Sequence, residues 1–435
     1  MITITRDQAR QFRSVVRRGF GRAPQGGFSG ALLAATPLRA QSTDELFDDS
    51  VLHDIRLWVH STDWARLKSD YLENTYYPAD LEWRGLKVRN VGIRSRGLGT
   101  RNEYKPGLRV DMNRYASGQR FLGLRSLLLD NNYRDVSQIR ERISMKLYAK
   151  FGLPVPRESH ARLFVNGEYV GLYVITEELG EDFVRRVFRK PDSDEPDKGT
   201  LYEYKWIDEW TFGYLGERLE DYQVRFEART HENDGLGNLY SPIQGLVRDV
   251  NQVAADRFLD VVGRQLDLKR LMIYLGVEAF LVDHDGLVGY KKMANFYLYR
   301  PEPEVSTQAL FLPWDKDQTF FVANRDVRHG IGDNELLRRT ADVPELNEVF
   351  LTTLEDAARL AEEVPEGGGA PWMDGEVVRA RDQIRDAVMS DPNRWFGRQD
   401  FDDELDRMLE FVHTRPAFVR CQVNNLRHPD TTREC

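Results

Sequence analysis

The most informative part of this sequence is residues 268–317, which read LKRLMIYLGVEAFLVDHDGLVGYKKMANFYLYRPEPEVSTQALFLPWDKD. The first fifteen residues are apolar almost all round, and this pattern predicts a buried helix over 268–282. Two short apolar runs, 295–299 and 309–313, predict the two strands of a hairpin. Acidic and amide side chains stand where these apolar elements end. The buried elements are therefore expected to deliver polar groups to one place.

Those polar groups are typical of a divalent cation site. Asp283 and Asp285 follow the predicted helix, Asn295 opens the first strand, and Asp315 and Asp317 follow the second. Carboxylate and amide oxygens are hard ligands that suit Mg²⁺, which usually takes one or two carboxylates together with substrate phosphates. Charges at the ends of apolar elements are costly unless a ligand meets them. The alternative is that these acids only cap loops and turns, but their grouping in one hairpin favours the metal site.

A second polar group lies upstream, around the turn Gly97-Leu98-Gly99. A glycine turn lets backbone N–H groups approach an anion, while basic side chains supply the charge. The basic residues around this turn are Arg94, Arg96, Arg101 and Lys105. The pattern indicates anion binding only weakly, because basic hairpin tips are usually just solvated. Glu141, on the next predicted helix, is a candidate partner for Lys105, or else a surface residue.

The remaining pattern predicts an α+β protein with a β-rich first half and a helical second half. A helix is predicted over 135–151 with Asp135 as its N-cap, and helical patterns also cover 216–267 and 335–420. Strands are predicted by alternating apolar and polar residues at 51–60, 77–84, 86–96, 107–113, 124–130, 159–165 and 169–176. The expected domains are a β-rich N-lobe with one helix over 41–180 and a mainly helical C-lobe over 181–435, which holds the metal-site hairpin 283–321.

Composition excludes several classes of protein. The chain has 435 residues, of which 41% are hydrophobic and 30% are charged, as in soluble globular proteins with ample material for a core. The net charge is −9, but residues 1–40 alone carry +6, so the remainder carries −15. An acidic body argues against a general nucleic-acid binder, which needs clustered basic residues. No uncharged apolar run approaches 18 residues, so no membrane-spanning helix is expected.

Residues 1–40 have the layout of an export signal. An Arg-bearing start is followed by the uncharged stretch 23–38 and by Ala40 as a candidate cleavage point. Arg17-Arg18-Gly19-Phe20 is similar to a twin-arginine motif. The chain is therefore expected in the periplasm, at the cell surface or outside the cell. A disordered basic leader on a cytoplasmic protein is the alternative.

The chain has two cysteines, Cys421 and Cys435, which lack the spacing of a zinc site. If the protein is exported, they could form one bridge that closes a short C-terminal loop. Two unpaired thiols are the alternative.

Several segments together resemble the spore coat protein H (CotH) family of atypical protein kinases. They occur in order between about residues 80 and 322, and NGEYVGLYVITEEL and PWDKD are the most specific. The full set is GIRSRGLGTRNEYKPGLRVDM, FLGLRSLLLDNNYRDVSQIRERISMKLYAKFGLPVPR, LFVNGEYVGLYVITEEL, NFYLYR and FLPWDKDQTF. The resemblance implies a divergent two-lobed protein-kinase-like fold. It also implies that ATP with Mg²⁺ or Mn²⁺ is used to phosphorylate Ser or Thr side chains of proteins.

The resemblance also assigns roles to individual residues. The catalytic carboxylate falls on Asp283 or Asp285, and the metal ligands fall on Asn295 and Asp315, with Asp317 as a further candidate. At the nucleotide, Lys105 matches the phosphate-binding lysine, Glu141 matches its ion-pair partner, and Glu177 and Glu178 match positions near the adenine. Arg96 and Arg101, from the glycine turn, are added as further candidates for the nucleotide.

The sequence departs from ordinary kinases because it has no GxGxxG, His-Arg-Asp or Asp-Phe-Gly motif. Two other functions therefore remain open: a catalytically silent extracellular binding protein that keeps the fold, and a kinase for a sugar or another small molecule. An acidic body would suit a basic, Ser/Thr-rich protein substrate. The helices beyond residue 335 lie outside the resemblance, so their role is open.

Overall fold

The structure is a computed structural model that describes residues 41–191, 193–431 and 433–435. The predicted export leader, residues 1–40, lies outside the described residues. Residues 42–435 form one unit by their backbone contacts.

The first half of the unit is a closed β-barrel of seven strands. The strands are β1 His53–Val59, β2 Tyr77–Trp83, β3 Leu86–Arg96, β4 Gly107–Asp111, β5 Ser126–Asp130, β6 Glu158–Val165 and β7 Glu168–Thr176. Their order is β1-β2-β3-β4-β5-β7-β6, and β6 closes the barrel by pairing parallel to β1. In β1 every second residue is buried, as its alternating sequence predicts. The apolar side chains of the interior include Leu57, Leu81, Ile93, Val110 and Leu163.

Three helices accompany the barrel: α1 Thr43–Leu46, α2 Ser61–Ser69 and α3 Arg140–Lys150. Helix α3 contacts the barrel at β6, because its Arg142 hydrogen-bonds to the ring of His160. It begins five residues later than the sequence predicts. The Asp135 carboxylate nevertheless caps it, since it accepts the backbone N–H of Arg140 at 2.8 Å.

The second half is mainly helical, as predicted. Its helices are α4 Glu181–Val187, α5 Glu220–Gln223, α6 Leu236–Gln252, α7 Phe258–Val262, α8 Leu268–Leu281, α9 Glu335–Ala341, α10 Pro344–Ala361, α11 Trp372–Ser390 and α12 Arg398–Arg427. Short 3₁₀ helices cover Ala255–Arg257, Ile331–Asp333 and Pro429–Thr431. Helix α8 is the predicted buried helix. The mixed α+β class, with a β-rich region before a helical one, is therefore confirmed.

The predicted hairpin is the edge of a four-stranded antiparallel sheet. Its strands are β8 Thr200–Tyr204, β9 Phe226–Ala228, β10 Phe296–Arg300 and β11 Leu310–Pro313, in the order β11-β10-β8-β9. Strand β8 was not predicted from the sequence, and the helical pattern predicted over 216–267 is wrong at β9. Both strands are short, and pairing with their neighbours rather than their own propensity holds them in place.

Helix α12 fixes the end of α8 through a buried arginine. The guanidinium of Arg415 is fully buried and donates to the carbonyls of Ala279 at 2.7 Å and Phe280 at 3.1 Å, in the last turn of α8. It also donates to the carbonyls of Ala323 and Arg325, at 2.7 and 2.6 Å. A cation at a helix C-terminus is favourable because carbonyl groups there lack partners. Burial lowers the pKa of Arg415 to about 9. The C-terminal helices thus hold the residues that lead into Asp283.

The two cysteines are joined in a disulfide that ties Cys421, inside α12, to the C-terminal residue Cys435. The Cα atoms of Cys421 and Cys435 lie 5.7 Å apart, within the normal range for such a bond. No helix of the described residues is long and apolar enough to cross a membrane.

Candidate active site

Three chain segments meet at the open end of the β10–β11 hairpin, where β10 begins and β11 ends. Phe296 pairs with Pro313, so Asn295 before β10 and Asp315 after β11 lie at the same end. The backbone N–H of His284, in the turn after α8, donates to the Gln318 carbonyl at 2.8 Å. Two further backbone bonds reinforce this, from Ala294 to Gly286 at 3.1 Å and from Phe320 to Leu281 at 2.9 Å. The structure therefore brings the predicted acidic and amide residues together.

The backbone of these segments is unusual. Asn295 and Asp315 have positive φ angles of +53° and +54°, in the left-handed region that Asn and Asp tolerate. Val282 and Phe320, which flank the two acidic segments, are also positive at +56° and +63°. Such a conformation costs about 1–3 kcal/mol for each non-glycine residue, and it concentrates at functional sites.

Asp283 is held in a fully buried ion pair. Its carboxylate accepts from Lys316 Nζ at 2.8 Å, and the same nitrogen lies 3.4 Å from Glu278 Oε2 in α8. The other oxygen of Asp283 accepts the backbone N–H of Asp285 at 2.9 Å. Both oxygens of Asp283 therefore have protein partners, which gives this residue a structural position.

Asp285 keeps one carboxylate oxygen free. Its Oδ2 is 2.8 Å from Lys291 Nζ, whereas its Oδ1 is buried without a hydrogen-bond partner among the described residues. The following residue must be glycine, because a Cβ on Gly286 would lie 2.4 Å from the Glu278 carboxyl and 2.6 Å from Asp283 Oδ2. Of the two candidate catalytic residues, Asp285 is thus the one with an oxygen available for a ligand.

Four carboxyl groups with raised pKa values lie within electrostatic reach of one another, and we call them the acidic cluster: Glu141, Glu158, Asp315 and Asp317. Burial and the charge of Asp130 raise the pKa of Asp315 to about 6. Burial raises the pKa of Glu158 to about 8 although Arg142 opposes the shift. Burial and neighbouring acids also raise the pKa values of Glu141 and Asp317 well above normal. These shifts favour the neutral, protonated form of the four carboxyl groups.

Arg96 is a cation that acts on this cluster. Its guanidinium pairs with Asp130 at 2.8 Å and lies 5.9 Å from the Trp314 ring. Burial acts to lower the pKa of Arg96, but the charges of Asp130 and Asp315 outweigh it and raise the pKa. Arg96 is therefore placed beside the predicted metal ligand Asp315.

Lys105 has a different partner from the one predicted. Its buried Nζ pairs with Asp391 at 2.8 Å and lies 5.3 Å from the Tyr173 ring. Asp391, at the end of α11, also accepts the backbone N–H of Leu172 at 3.0 Å. The predicted ion pair between Lys105 and Glu141 is therefore wrong. The end of α11 reaches the barrel at this point and supplies the carboxylate instead.

Two other residues predicted to lie at the nucleotide, Arg101 and Glu177, make structural contacts instead. Arg101 donates to the carbonyls of Gly97 and Leu72, both at 2.8 Å, and so braces the glycine turn. Glu177 is buried between two arginines, Arg157 at 2.9 Å and Arg186 at 2.5 Å. Neither is brought to the acidic cluster.

Cavity size does not locate this site. A cavity of about 320 Å³ lies between the β1 and β2 segments, beside His53 and Arg84. A larger one of about 670 Å³ is lined by residues that include Arg229, whose guanidinium pairs with Glu178 after β7. Neither cavity includes a predicted site residue. The site is defined instead by its buried carboxyl groups.

The residues present fit a hard cation in their chemistry. Within the described ranges, no group of three or more His, Cys, Asp or Glu side chains is arranged to hold a metal ion. Asp285 Oδ1 and both carboxylate oxygens of Glu158 are nevertheless buried without hydrogen-bond partners. Unpartnered buried oxygens of this kind are expected where an ion or an ordered water belongs.

Comparison with known proteins identifies the family of this chain. Residues 93–419 match the family model described as CotH kinase protein. The chain is similar to the inner spore coat protein H of Bacillus subtilis (strain 168), with 23% identity over 377 residues, 84% of this chain and 96% of that protein. The family match covers the barrel from the last residues of β3 onward, the site and the helices up to most of α12. The helices beyond residue 335, which were left outside the resemblance, therefore belong to the family region. The chain therefore belongs to the CotH kinase protein family.

Proposed function

We propose that this protein transfers the γ-phosphate of ATP to Ser or Thr hydroxyls of a protein, with Mg²⁺ or Mn²⁺ as cofactor. The observation that carries the proposal is the convergence of Asp285, Asn295 and Asp315 at the ends of buried elements. Phosphoryl transfer needs a carboxylate at the acceptor hydroxyl, metal ligands beside it and positive charge on the phosphates. The chain offers all three in one place.

We assign the catalytic roles by asking which side-chain atoms have no hydrogen-bond partner within the described residues. Asp285 would orient the acceptor hydroxyl and accept its proton at Oδ1, while Lys291 holds the other oxygen. Asp315 and Asn295 would hold the metal, with Asp317 close by. Bound Mg²⁺ supplies charge that offsets the phosphates and the acidic cluster. Arg96 is the better candidate for the phosphates, because it lies within electrostatic reach of Asp315, whereas Lys105 pairs with Asp391 at the end of α11.

The two-lobed organisation belongs to the same proposal. The barrel and α3 would form the N-lobe, ending near residue 180, and the remaining helices with the β8–β11 sheet would form the C-lobe. Support comes from α3, whose Ser144 hydroxyl lies 3.0 Å from that of Thr319 and so ties the barrel side to the segment after Asp315. ATP would bind where these two parts meet.

A catalytically silent nucleotide-binding protein is the second candidate. The observation that favours it is the ion pair between Lys105 and Asp391, which occupies the cation that the resemblance assigns to the phosphates. This candidate predicts nucleotide binding without phosphate transfer.

Export of this chain is also proposed. The relative is named as a spore coat protein, and Cys421 is joined to Cys435 in a bond that persists in oxidising compartments. Mass spectrometry of the protein from its final location should find the N-terminus after Ala40 and no free thiol. An intact Met1 or two alkylated cysteines would contradict export.

ATP is expected to stabilise the protein against heat only when Mg²⁺ or Mn²⁺ is present. Ligand at a hundred times its dissociation constant adds about 2.7 kcal/mol to the free energy of unfolding. Asp315→Asn should lose this metal-dependent shift. Asp406→Asn, at an exposed position in α12, is the control and should keep it. Equal stabilisation of wild type and Asp315→Asn would contradict the assigned metal ligand.

A further inference from the structure

The outer face of β3 and β4 carries a concentration of positive charge. Residues 84–134 hold twelve basic and three acidic side chains, a net charge of +9, although residues 41–435 as a whole carry −15. Arg94 on β3 lies directly opposite Arg109 on β4 in the pairing register. Like charges in opposed positions destabilise a sheet. This face of the barrel is therefore suited to contact with an anion.

Arg109 has a counter-charge of its own, whereas Arg94 has none. The guanidinium of Arg109 pairs with Glu178 at 2.8 Å. Arg94 donates to uncharged oxygens, the Ser95 carbonyl at 2.9 Å and the Asn74 side-chain amide at 3.2 Å. Within the described chain, no carboxylate lies at ion-pair distance from Arg94. One of the two opposed positive charges is thus left without a negative partner.

Arg114 and Arg94 meet at the ring of Tyr76. The guanidinium carbon of Arg114 lies 4.6 Å from the ring centroid, and that of Arg94 lies 5.5 Å from it. Arg114 crosses β3 at Gly92, where a Cβ would lie 2.6 Å from Arg114 Cγ and 3.0 Å from the Tyr76 ring. Arg114 is exposed, and no described carboxylate pairs with it. Two unpaired guanidinium groups are therefore held at one tyrosine ring.

A third arginine adds to the positive charge beside this ring. Arg101 donates to the Asn74 side-chain oxygen at 2.6 Å, and the same oxygen accepts from Arg94. Burial and the charges of Arg94 and Arg96 lower the pKa of Arg101. These cations therefore repel one another, and a bound anion would relieve the repulsion.

We propose that Arg94 and Arg114, at the ring of Tyr76, bind the phosphate of a phosphorylated Ser or Thr side chain in the protein acceptor. Guanidinium groups hold phosphate by charge-assisted, often bidentate hydrogen bonds, and clusters of arginines are common receptors for phosphorylated segments. The inference rests on the proposed function, because phosphoserine or phosphothreonine is the product of that reaction. A segment that already carries one phosphate would be retained on the barrel while a further hydroxyl is phosphorylated.

This site is separate from the residues assigned to ATP and metal. Arg96, the candidate for the ATP phosphates, lies two residues further along the same face of β3 and pairs with Asp130 at 2.8 Å. Arg94 and Arg114 lie at the other end of that face, toward Gly92. Nucleotide is nevertheless a second source of phosphate groups, so the test has to distinguish it from a phosphorylated protein segment.

The test compares binding of two fluorescent Ser-rich peptides, with and without one phosphoserine, to the full chain in the absence of nucleotide and metal. The phosphorylated peptide should bind about tenfold more tightly or better, as expected for hydrogen bonds to a charged group. Arg94→Gln and Arg114→Gln, each made alone, should lose most of this preference. Arg89→Gln, at an exposed position on the same strand, is the matched control and should keep it. Equal binding of the two peptides to wild type would overturn the proposal.

A competition experiment distinguishes the two sources of phosphate. ATP with Mg²⁺ should leave the phosphorylated peptide bound, and Arg94→Gln should keep the wild-type affinity for ATP. Displacement of the peptide by ATP, together with weaker ATP binding in Arg94→Gln, would overturn the proposal and assign Arg94 to the nucleotide.

Rates of phosphate transfer separate this inference from the proposed function. The wild-type chain should have a lower KM for the phosphorylated peptide than for the unphosphorylated one at similar kcat, and Arg94→Gln should remove the difference in KM. A chain that binds the phosphorylated peptide through Arg94 but transfers no phosphate would retain this site and refute the proposed kinase activity.

Discussion

Asp285→Asn is expected to lower the rate of phosphate transfer about 10²–10⁴-fold, the usual contribution of a positioned general base. The substitution keeps the shape of the side chain but removes the oxygen that would accept the hydroxyl proton. Stability should change little, because Lys291 is partly exposed and can be solvated. The measurement is the initial rate with labelled ATP at saturating metal.

The matched control is Asp333→Asn, which breaks the exposed pair with the neighbouring Lys292. It should keep the wild-type rate. Asp283→Asn addresses the alternative assignment of the base. A folded Asp283→Asn that loses activity, together with an active Asp285→Asn, would show that Asp283 and not Asp285 is the catalytic carboxylate.

Lys316→Met is expected to have the largest effect on stability, a loss of about 3–5 kcal/mol in the free energy of unfolding. Lys316 is fully buried, and its removal leaves the carboxylates of Asp283 and Glu278 without a cation. Breaking a buried pair costs more than the pair contributes, because the remaining charge stays away from water. The measurement is a urea titration that compares midpoints and slopes.

The control for this prediction is Lys292→Met. Its ion pair with Asp333 is on the surface, so its loss should cost no more than about 1 kcal/mol. Equal urea midpoints for the two variants would contradict a structural role for Lys316. If Lys316 offsets the charges of these two carboxylates, Asp283→Asn added to Lys316→Met should recover part of the lost stability, since it removes one of the unpaired buried charges.

The main elements of the fold could be predicted because their periodicity is strong. The run that forms α8 is apolar on all sides of the helix. In the barrel strands, apolar and polar residues alternate with a period of two. The start of β10 and the end of β11 could also be located, since Asn295 and Asp315 stand next to these apolar runs. Local sequence is sufficient where a buried element sets the positions of the residues that follow it.

Long-range partners could not be predicted. The carboxylate that meets Lys105 is Asp391, 286 residues away, and the arginine that holds α8 is Arg415 in the last long helix. Nothing in the local pattern around either residue specifies these contacts. Strands β8 and β9 were missed for the same reason, because they depend on pairing with β10 and with each other.

The ion pair between Lys316 and Glu278 could have been predicted from the sequence. Glu278 is a charged residue inside an otherwise apolar helix, and Lys316 lies between two acids that were assigned to the metal. A lone charge in a buried helix needs a partner. Reading the two together would have predicted their contact and would have favoured Asp285 over Asp283 as the catalytic carboxylate.

Kinase activity is tested most directly by transfer of the terminal phosphate from γ-labelled ATP, with Mg²⁺ or Mn²⁺, by the wild-type chain to itself and to Ser-rich peptides. We expect label on Ser or Thr, and it should disappear when metal is removed or when Asp285 is replaced by asparagine. A wild-type chain that binds ATP with metal but transfers no label to any acceptor would contradict the proposed kinase activity.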